Sequence, residues 1–161
     1  GYQKKKRIMG GRSGQSIGGS ALISGNALIQ YQSLADKAIK EFGIKGKVNI
    51  TESKAFSNGG YASQNISNYD TGGNPFKNEI RISPNTKDIG KTIRHELRHI
   101  SQGQKGQYYL KKEDGVRYHF WNGKKIISSD EFRKINNNLN RGNNFAKYQS
   151  FPWERDARSV E

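Results

Sequence analysis

From Ser24 to Phe42 the apolar positions Leu28, Ile29, Leu34, Ala35, Ala38, Ile39 and Phe42 recur at intervals of three and four, and Gly43 follows where a helix would end. That spacing predicts an amphipathic helix. A second run of the same kind covers Thr86 to Gln102: at about 100° per residue, Ile89, Ile93, Leu97 and Ile100 fall on one core-facing stripe, and Arg94 and Arg98 fall on the opposite, solvated side. Pro84 and Asn85 supply a stop before this helix and Gly103 a stop after it. Between the two helices, Lys47 to Ile50 and Glu79 to Ile82 read as short strands, set among the turn signals Ser57-Asn58-Gly59-Gly60, Asp70-Thr71-Gly72-Gly73 and Asn74-Pro75. Val116 to Phe120 and Lys125 to Ser128 flank Asn122-Gly123, the signature of a tight hairpin. Asp130 to Leu139 predicts a further helix, the Asn-rich stretch up to Asn144 a polar loop, and Pro152 can open a last helix. The elements add up to an α+β domain. It has a long N-terminal helix, a small and mostly antiparallel sheet, a central helix, then a hairpin and a C-terminal helix that closes over it.

Composition qualifies that picture. A chain of 161 residues suits a single domain, and Leu, Ile, Val and Phe together make up only about a fifth of it, so the core is small. Lys4, Lys5, Lys6 and Arg7, then Arg12, stand in a Gly/Ser stretch, and no acidic residue precedes Asp36. Residues 1–20 therefore read as a basic flexible arm and residues 21–161 as the folded domain. The 28 basic residues against 14 acidic ones give a net charge of +14, which suits nucleic acid or another polyanion as a partner of the arm. The absence of cysteine excludes a disulfide framework, a cysteine-ligated metal site and a thiol nucleophile. No apolar stretch approaches the roughly 20 residues of a membrane span, and no signal peptide opens the chain, so it reads as soluble. Its first residue is Gly rather than Met, which suits an excised domain or a processed product.

The chemistry concentrates in the central helix. His95-Glu96-Leu97-Arg98-His99 has the form H-E-x-x-H, and two of the three histidines in the chain lie inside it. Imidazoles at i and i+4 project from consecutive turns and can reach one metal ion, while the glutamate beside the first is placed to take a proton from metal-bound water. Gln102, one turn beyond His99, either orients a ligand or caps the helix. The continuation that would give a third histidine is missing, because Gln102 and Lys105 occupy the positions where Gly and His would be required. His119 lies in the hairpin, and Tyr118, His119 or Tyr148 could stabilise an oxyanion.

With this motif the chain resembles the zincin metallopeptidases. Glu79-Ile80-Arg81-Ile82 resembles the edge strand along which they bind an extended substrate by β-addition. The segment Phe151-Pro152-Trp153-Glu154-Arg155-Asp156-Ala157-Arg158 resembles the P-x-E-x-[DE]-A segment of compact gluzincin-like proteins of phages and of bacterial toxins and effectors. The longer E-x-x-x-D pattern is not met, since Arg158 stands at its acidic position. The resemblance implies zinc held by His95, His99 and Glu154, with Asp156 as the partner of a histidine or as the ligand itself, and Glu96 as general base. It also implies a protein or peptide substrate, such as a bacterial cell-wall crosslink, and a setting as a delivered toxin domain or a virion-associated protein. The competing expectation, from charge, is a non-enzymatic polyanion-binding or virion structural protein in which the H-E-x-x-H helix is structural or holds metal without turnover.

Overall fold

The computed structural model describes residues 25–161, so Lys4, Lys5, Lys6 and Arg7 and the expected arm boundary at residue 20 lie outside the described residues. The described chain is mixed α+β, with five α-helices and two three-stranded sheets. Helix α1 (Gly25–Phe42) buries Ala35, Ala38 and Phe42, three positions that the spacing put on one face, while Leu34 is 49% exposed. It ends at Gly43 with φ +67°, and the Ile44 amide donates back to the Ile39 carbonyl at 2.9 Å, a C-terminal cap that depends on a left-handed residue.

In the first sheet β1 (Asn49–Glu52) runs parallel to β3 (Phe76–Ile82), and β2 (Gly60–Gln64) pairs antiparallel on the other side of β3. The order is β1-β3-β2. The segment Glu79–Ile82, expected to resemble an edge strand, is therefore central, and Ile80 and Ile82 are wholly buried. The strand expected over Lys47 to Ile50 overlaps β1, but the pattern did not show the second flanking strand, because Gly-Tyr-Ala-Ser-Gln is short and carries few large apolar residues.

The second sheet is an antiparallel meander of β4 (Tyr108–Glu113), β5 (Val116–Trp121) and β6 (Lys124–Ser128). The β5–β6 hairpin turns at Asn122-Gly123, as the sequence predicts. The β4–β5 hairpin turns in the same way at Asp114-Gly115, a signal equally present in the chain. All four turn residues have positive φ, between +48° and +78°.

Helix α2 (Ile89–Gln104) crosses between these parts. It is capped by Asp88, whose carboxylate accepts from the Lys91 amide at 3.0 Å, and not by Pro84 or Asn85. It also runs through Gly103 instead of stopping there. Three helices follow: α3 (Ser129–Asn137), α4 (Asn144–Ser150) and α5 (Pro152–Arg158). The Asn-rich connection is structured: Asn138 Nδ2 donates to the Lys134 carbonyl and Asn144 Nδ2 to the Asn138 carbonyl, at 2.8 and 2.9 Å. Helix α5 opens on Pro152 and packs across α2. Trp153, fully buried, meets Phe151, Tyr108, His119 and Phe132. This aromatic wall joins the second sheet and α3 to α5. No helix among the described residues is long and apolar enough to cross a membrane.

Close packing explains Gly103. A Cβ there would overlap Asn74 Oδ1 and lie 2.6 Å from Cδ2 of Phe76 and 3.2 Å from Cδ of Pro75. Helix propensity alone favours Gly103→Ala by about 1 kcal/mol, but overpacking against the start of a central strand costs about 2 kcal/mol or more. The substitution is expected to destabilise, lowering the melting temperature by several degrees; an unchanged or raised value in a thermal melt would contradict the packing argument.

Candidate metal centre

The helical spacing of α2 brings His95 and His99 together on one side, with ring centroids 4.9 Å apart. Both rings are buried, because β3, β4 and α5 close over this face of the helix. Phe76 of β3 lies nearly parallel to His99, with centroids 6.1 Å apart. From α5, Glu154 enters the same space with its side chain 2% exposed. His95 Nε2 and His99 Nε2 are 3.2 Å apart, Glu154 Oε2 is 3.2 Å from the first and Glu154 Oε1 3.2 Å from the second.

Each carboxylate oxygen thus faces one imidazole nitrogen, and the three side chains converge on one small space. Ligand atoms at about 2.0–2.1 Å from a common centre are separated by about 3.3 Å when the angles are tetrahedral, so two imidazole nitrogens and a carboxylate at these separations fit one ion with a fourth position left over. His95, His99 and Glu154 therefore form a buried group that could hold a metal ion.

The electrostatics have the same sense. Burial raises the pKa of the Glu154 carboxyl, but His99 and His95 outweigh it and hold the group well below the usual carboxylate range. Burial lowers that of His95, while Glu154 and Glu161 outweigh it and push it up to about 10. The pocket favours positive charge, whether a proton or an ion. The Tyr148 hydroxyl also donates to Glu154 Oε1 at 3.0 Å, which ties α4 to this carboxylate.

Glu96, on the same turn as His95, is fully buried, and the Ala62 amide of β2 donates to its Oε2 at 3.1 Å. A backbone N–H aimed at a buried carboxylate favours its ionised form and fixes its orientation. The sheet edge next to α2 thus positions the glutamate of the motif.

The remaining residues singled out from the sequence fall elsewhere. Asp156 touches neither histidine: it accepts from Arg98 Nε at 2.8 Å and Nη2 at 3.1 Å, and from Gln102 Nε2 at 2.8 Å. Gln102 is the residue that reaches a histidine, its Oε1 lying 3.0 Å from His99 Nδ1 while its amide donates to the Trp153 carbonyl at 2.9 Å. Arg98, expected on a solvated face, is held by α5. Arg94 likewise spans Glu41 of α1, at 3.0 Å to each oxygen, and the Val160 carbonyl. The helical wheel gave the correct direction for both arginines but could not show that α1 and the last residues pack there.

His119 is buried within the aromatic wall, bonded through Nδ1 to the Tyr108 hydroxyl at 2.5 Å and stacked on Trp153. Tyr118 lies under Lys125 Nζ, 4.3 Å from its ring centroid. The tyrosine that reaches the cluster is Tyr148, and it does so through Glu154. Among the acids downstream of the motif the sequence does not single out Glu161, whose Oε1 is 2.6 Å from His95 Nδ1. Only its acidic type could have signalled it, since it lies outside every motif and 66 residues away from its partner.

Comparison with protein-family models, curated proteins and solved structures finds no match to this chain. The functional reading therefore rests on the geometry and the motif.

Two outcomes follow from these contacts. A divalent ion held at a thousand times its dissociation constant adds about 4 kcal/mol of stability, which at roughly 2–4 °C per kcal/mol raises the melting temperature by about 10 °C. A chelator should reverse the rise and Glu154→Gln should abolish it; a melting curve of the wild type indifferent to both chelator and added metal would exclude the centre. The second outcome concerns His119, where burial, with Arg117 assisting, lowers the pKa from 6.5 to about 3. The unfolded chain protonates this ring first, so its contribution is complete above about pH 6.5 and declines as the pH falls toward 3, by up to about 1.4 kcal/mol per pH unit. In urea titrations the stability difference between wild type and His119→Gln should shrink on acidification; a constant difference would show that the ring is not buried neutral.

Proposed function

We propose that the protein is a zinc-dependent metallopeptidase. One observation carries the reading: two imidazoles and a carboxylate from separate helices converge at 3.2 Å spacing, with a buried, backbone-anchored glutamate on the adjoining position of the same helix. The donor set of two nitrogens and one carboxylate oxygen, with a coordination position left for water, suits zinc in a catalytic site. His95, His99 and Glu154 would hold the ion. Bound there, zinc would make water acidic enough to be a nucleophile near neutral pH and would polarise the substrate carbonyl.

The chain's own residues do the rest. Glu96 accepts a proton from the attacking water as its oxygen bonds to the carbonyl carbon, then delivers a proton to the amine nitrogen as the carbon–nitrogen bond breaks. The Ala62 amide, donating to Oε2, holds the carboxylate in orientation for the first transfer. Because β3 is central, the edge of the first sheet beside α2 is β2 among the described residues, and an extended peptide would add there. Substrate would then lie along the strand whose backbone already holds Glu96.

Glu96→Gln keeps the size of the side chain and removes its basicity. It is expected to retain metal at the wild-type stoichiometry and to lose peptidase activity by at least about a hundredfold, measured as release of new amino termini from unfolded protein and from peptide crosslinks. Equal turnover by wild type and variant, or a metal-loaded wild type without hydrolytic activity on either substrate class, would defeat the proposal.

A further inference from the structure

The two histidines are held from behind by partners of different kinds. His99 Nδ1 meets Gln102 Oε1 at 3.0 Å, an amide oxygen one turn along the same helix. His95 Nδ1 meets Glu161 Oε1 at 2.6 Å, a carboxylate oxygen delivered from the segment after α5. Amide and carboxylate oxygens accept and do not donate, so both contacts put a ring proton on Nδ1 and leave Nε2 as the nitrogen that faces the cluster. The carboxylate contact is the shorter and the charged one. A charged acceptor makes the stronger bond and raises the basicity of the opposite ring nitrogen more than an amide does.

Glu161 is itself held in place. Its side chain is only 11% exposed, its second oxygen lies 3.2 Å from Lys91 Nζ, and the residue before it is fastened by Arg94 Nε donating to the Val160 carbonyl at 2.8 Å. Lys91, Arg94 and His95 all belong to α2. One helix therefore carries both the histidine and the two cationic groups that seat the acid behind it.

We propose that Glu161 is a positioning residue of the metal centre: it fixes the tautomer and rotation of His95 and strengthens it as a ligand, with Lys91 and Arg94 seating the segment that bears it. Asp156, the acid expected behind a histidine, instead orients Gln102 and so acts on His99 at one remove. The inference rests on reading His95, His99 and Glu154 as a metal centre, and it does not depend on the substrate being a peptide.

The test uses the full chain and the metal alone. Affinity for zinc is measured by competition with a chromophoric chelator, and the visible spectrum of the cobalt(II) form reports the ligand field. Glu161→Gln is expected to weaken binding about 10- to 100-fold and to alter the cobalt spectrum, and Glu161→Asp to recover part of the loss. In nitrogen–proton correlation spectra of the zinc form, the His95 Nδ1–H resonance should lie downfield in the wild type and move upfield in Glu161→Gln. If Glu161→Gln binds zinc within about twofold of the wild type, with unchanged spectra, the positioning role is refuted and the metal centre stands. If the wild type itself binds neither ion, the metal-centre reading fails and the proposal fails with it. Should Glu161→Gln not fold, Lys91→Met, at a position whose side chain is 46% exposed, takes its place. A several-fold loss of affinity with the same direction of spectral change supports the role, and wild-type affinity refutes it.

Discussion

The constraint on which the rest of the structure depends is the burial of the Glu154 carboxylate against two imidazoles. A lone ionised carboxyl in a protein interior is disfavoured by many kcal/mol unless partners replace the water it loses. Here the partners come from two helices, His95 and His99 of α2 and Tyr148 of α4, while α5 carries the acid. Helix α5 has seven residues, too few to be stable in isolation. Its position is set by what it touches. Trp153 anchors it on the aromatic wall, Gln102 bonds the Trp153 carbonyl, Arg98 clamps Asp156, and Arg94 and Lys91 secure the residues that follow. Each contact holds α5 to one side of α2, and together they define where the carboxylate sits.

A chain poor in aliphatic residues needs such arrangements. Most of the fully buried aliphatic residues lie between α1, the first sheet and the inner face of α2, with Leu110 and Leu139 joining the core from the far side. Around the cluster its place is taken by rings: Phe76 against His99, Tyr108 against Phe76 and Trp153, His119 between Trp153 and Phe132. Aromatic side chains bury large areas and carry polar tips that can bond inside, so a few of them line a dry site without many aliphatic neighbours. The second sheet serves this end, bringing Tyr108 and His119 behind α5. A dry surrounding strengthens every charge interaction at the cluster.

The legible part of this arrangement was the part with short-range causes. Helical periodicity located α1 and α2, the Asn-Gly turn located a hairpin, and the i, i+4 spacing located two of the three converging donors. The long-range part was less visible. Gly103 looks like a terminator in sequence, but its small size serves contact with Asn74 and Phe76, which only the fold brings near. The central place of β3 depends on β2, whose Gly-Tyr-Ala-Ser-Gln has too little apolar alternation to be recognised, pairing on the side opposite β1. Glu154 was reached through a resemblance in the segment around it, whereas Asp156 and Glu161 are both acids of the same region, and the contacts alone distinguish the one that meets Arg98 from the one that meets His95.

The distribution of acids sharpens the meaning of the +14 charge. Four of the 14 acidic residues stand at or directly behind the histidine cluster: Glu96, Glu154, Asp156 and Glu161. The outer two are matched by cations, Asp156 by Arg98 and Glu161 by Lys91. The inner two are met differently, Glu154 by the imidazoles and a tyrosine hydroxyl, and Glu96 by a backbone amide. Two buried carboxylates beside two imidazoles favour positive charge between them, whether a proton or one divalent ion, and the local field of such an ion would govern the protonation of every group around it. A strongly basic protein that keeps a small buried acidic centre concentrates its attraction for cations at one place, while its outer surface attracts anions. The charge of the whole chain and the charge of the site are therefore opposite in sign, and only the second bears on the chemistry.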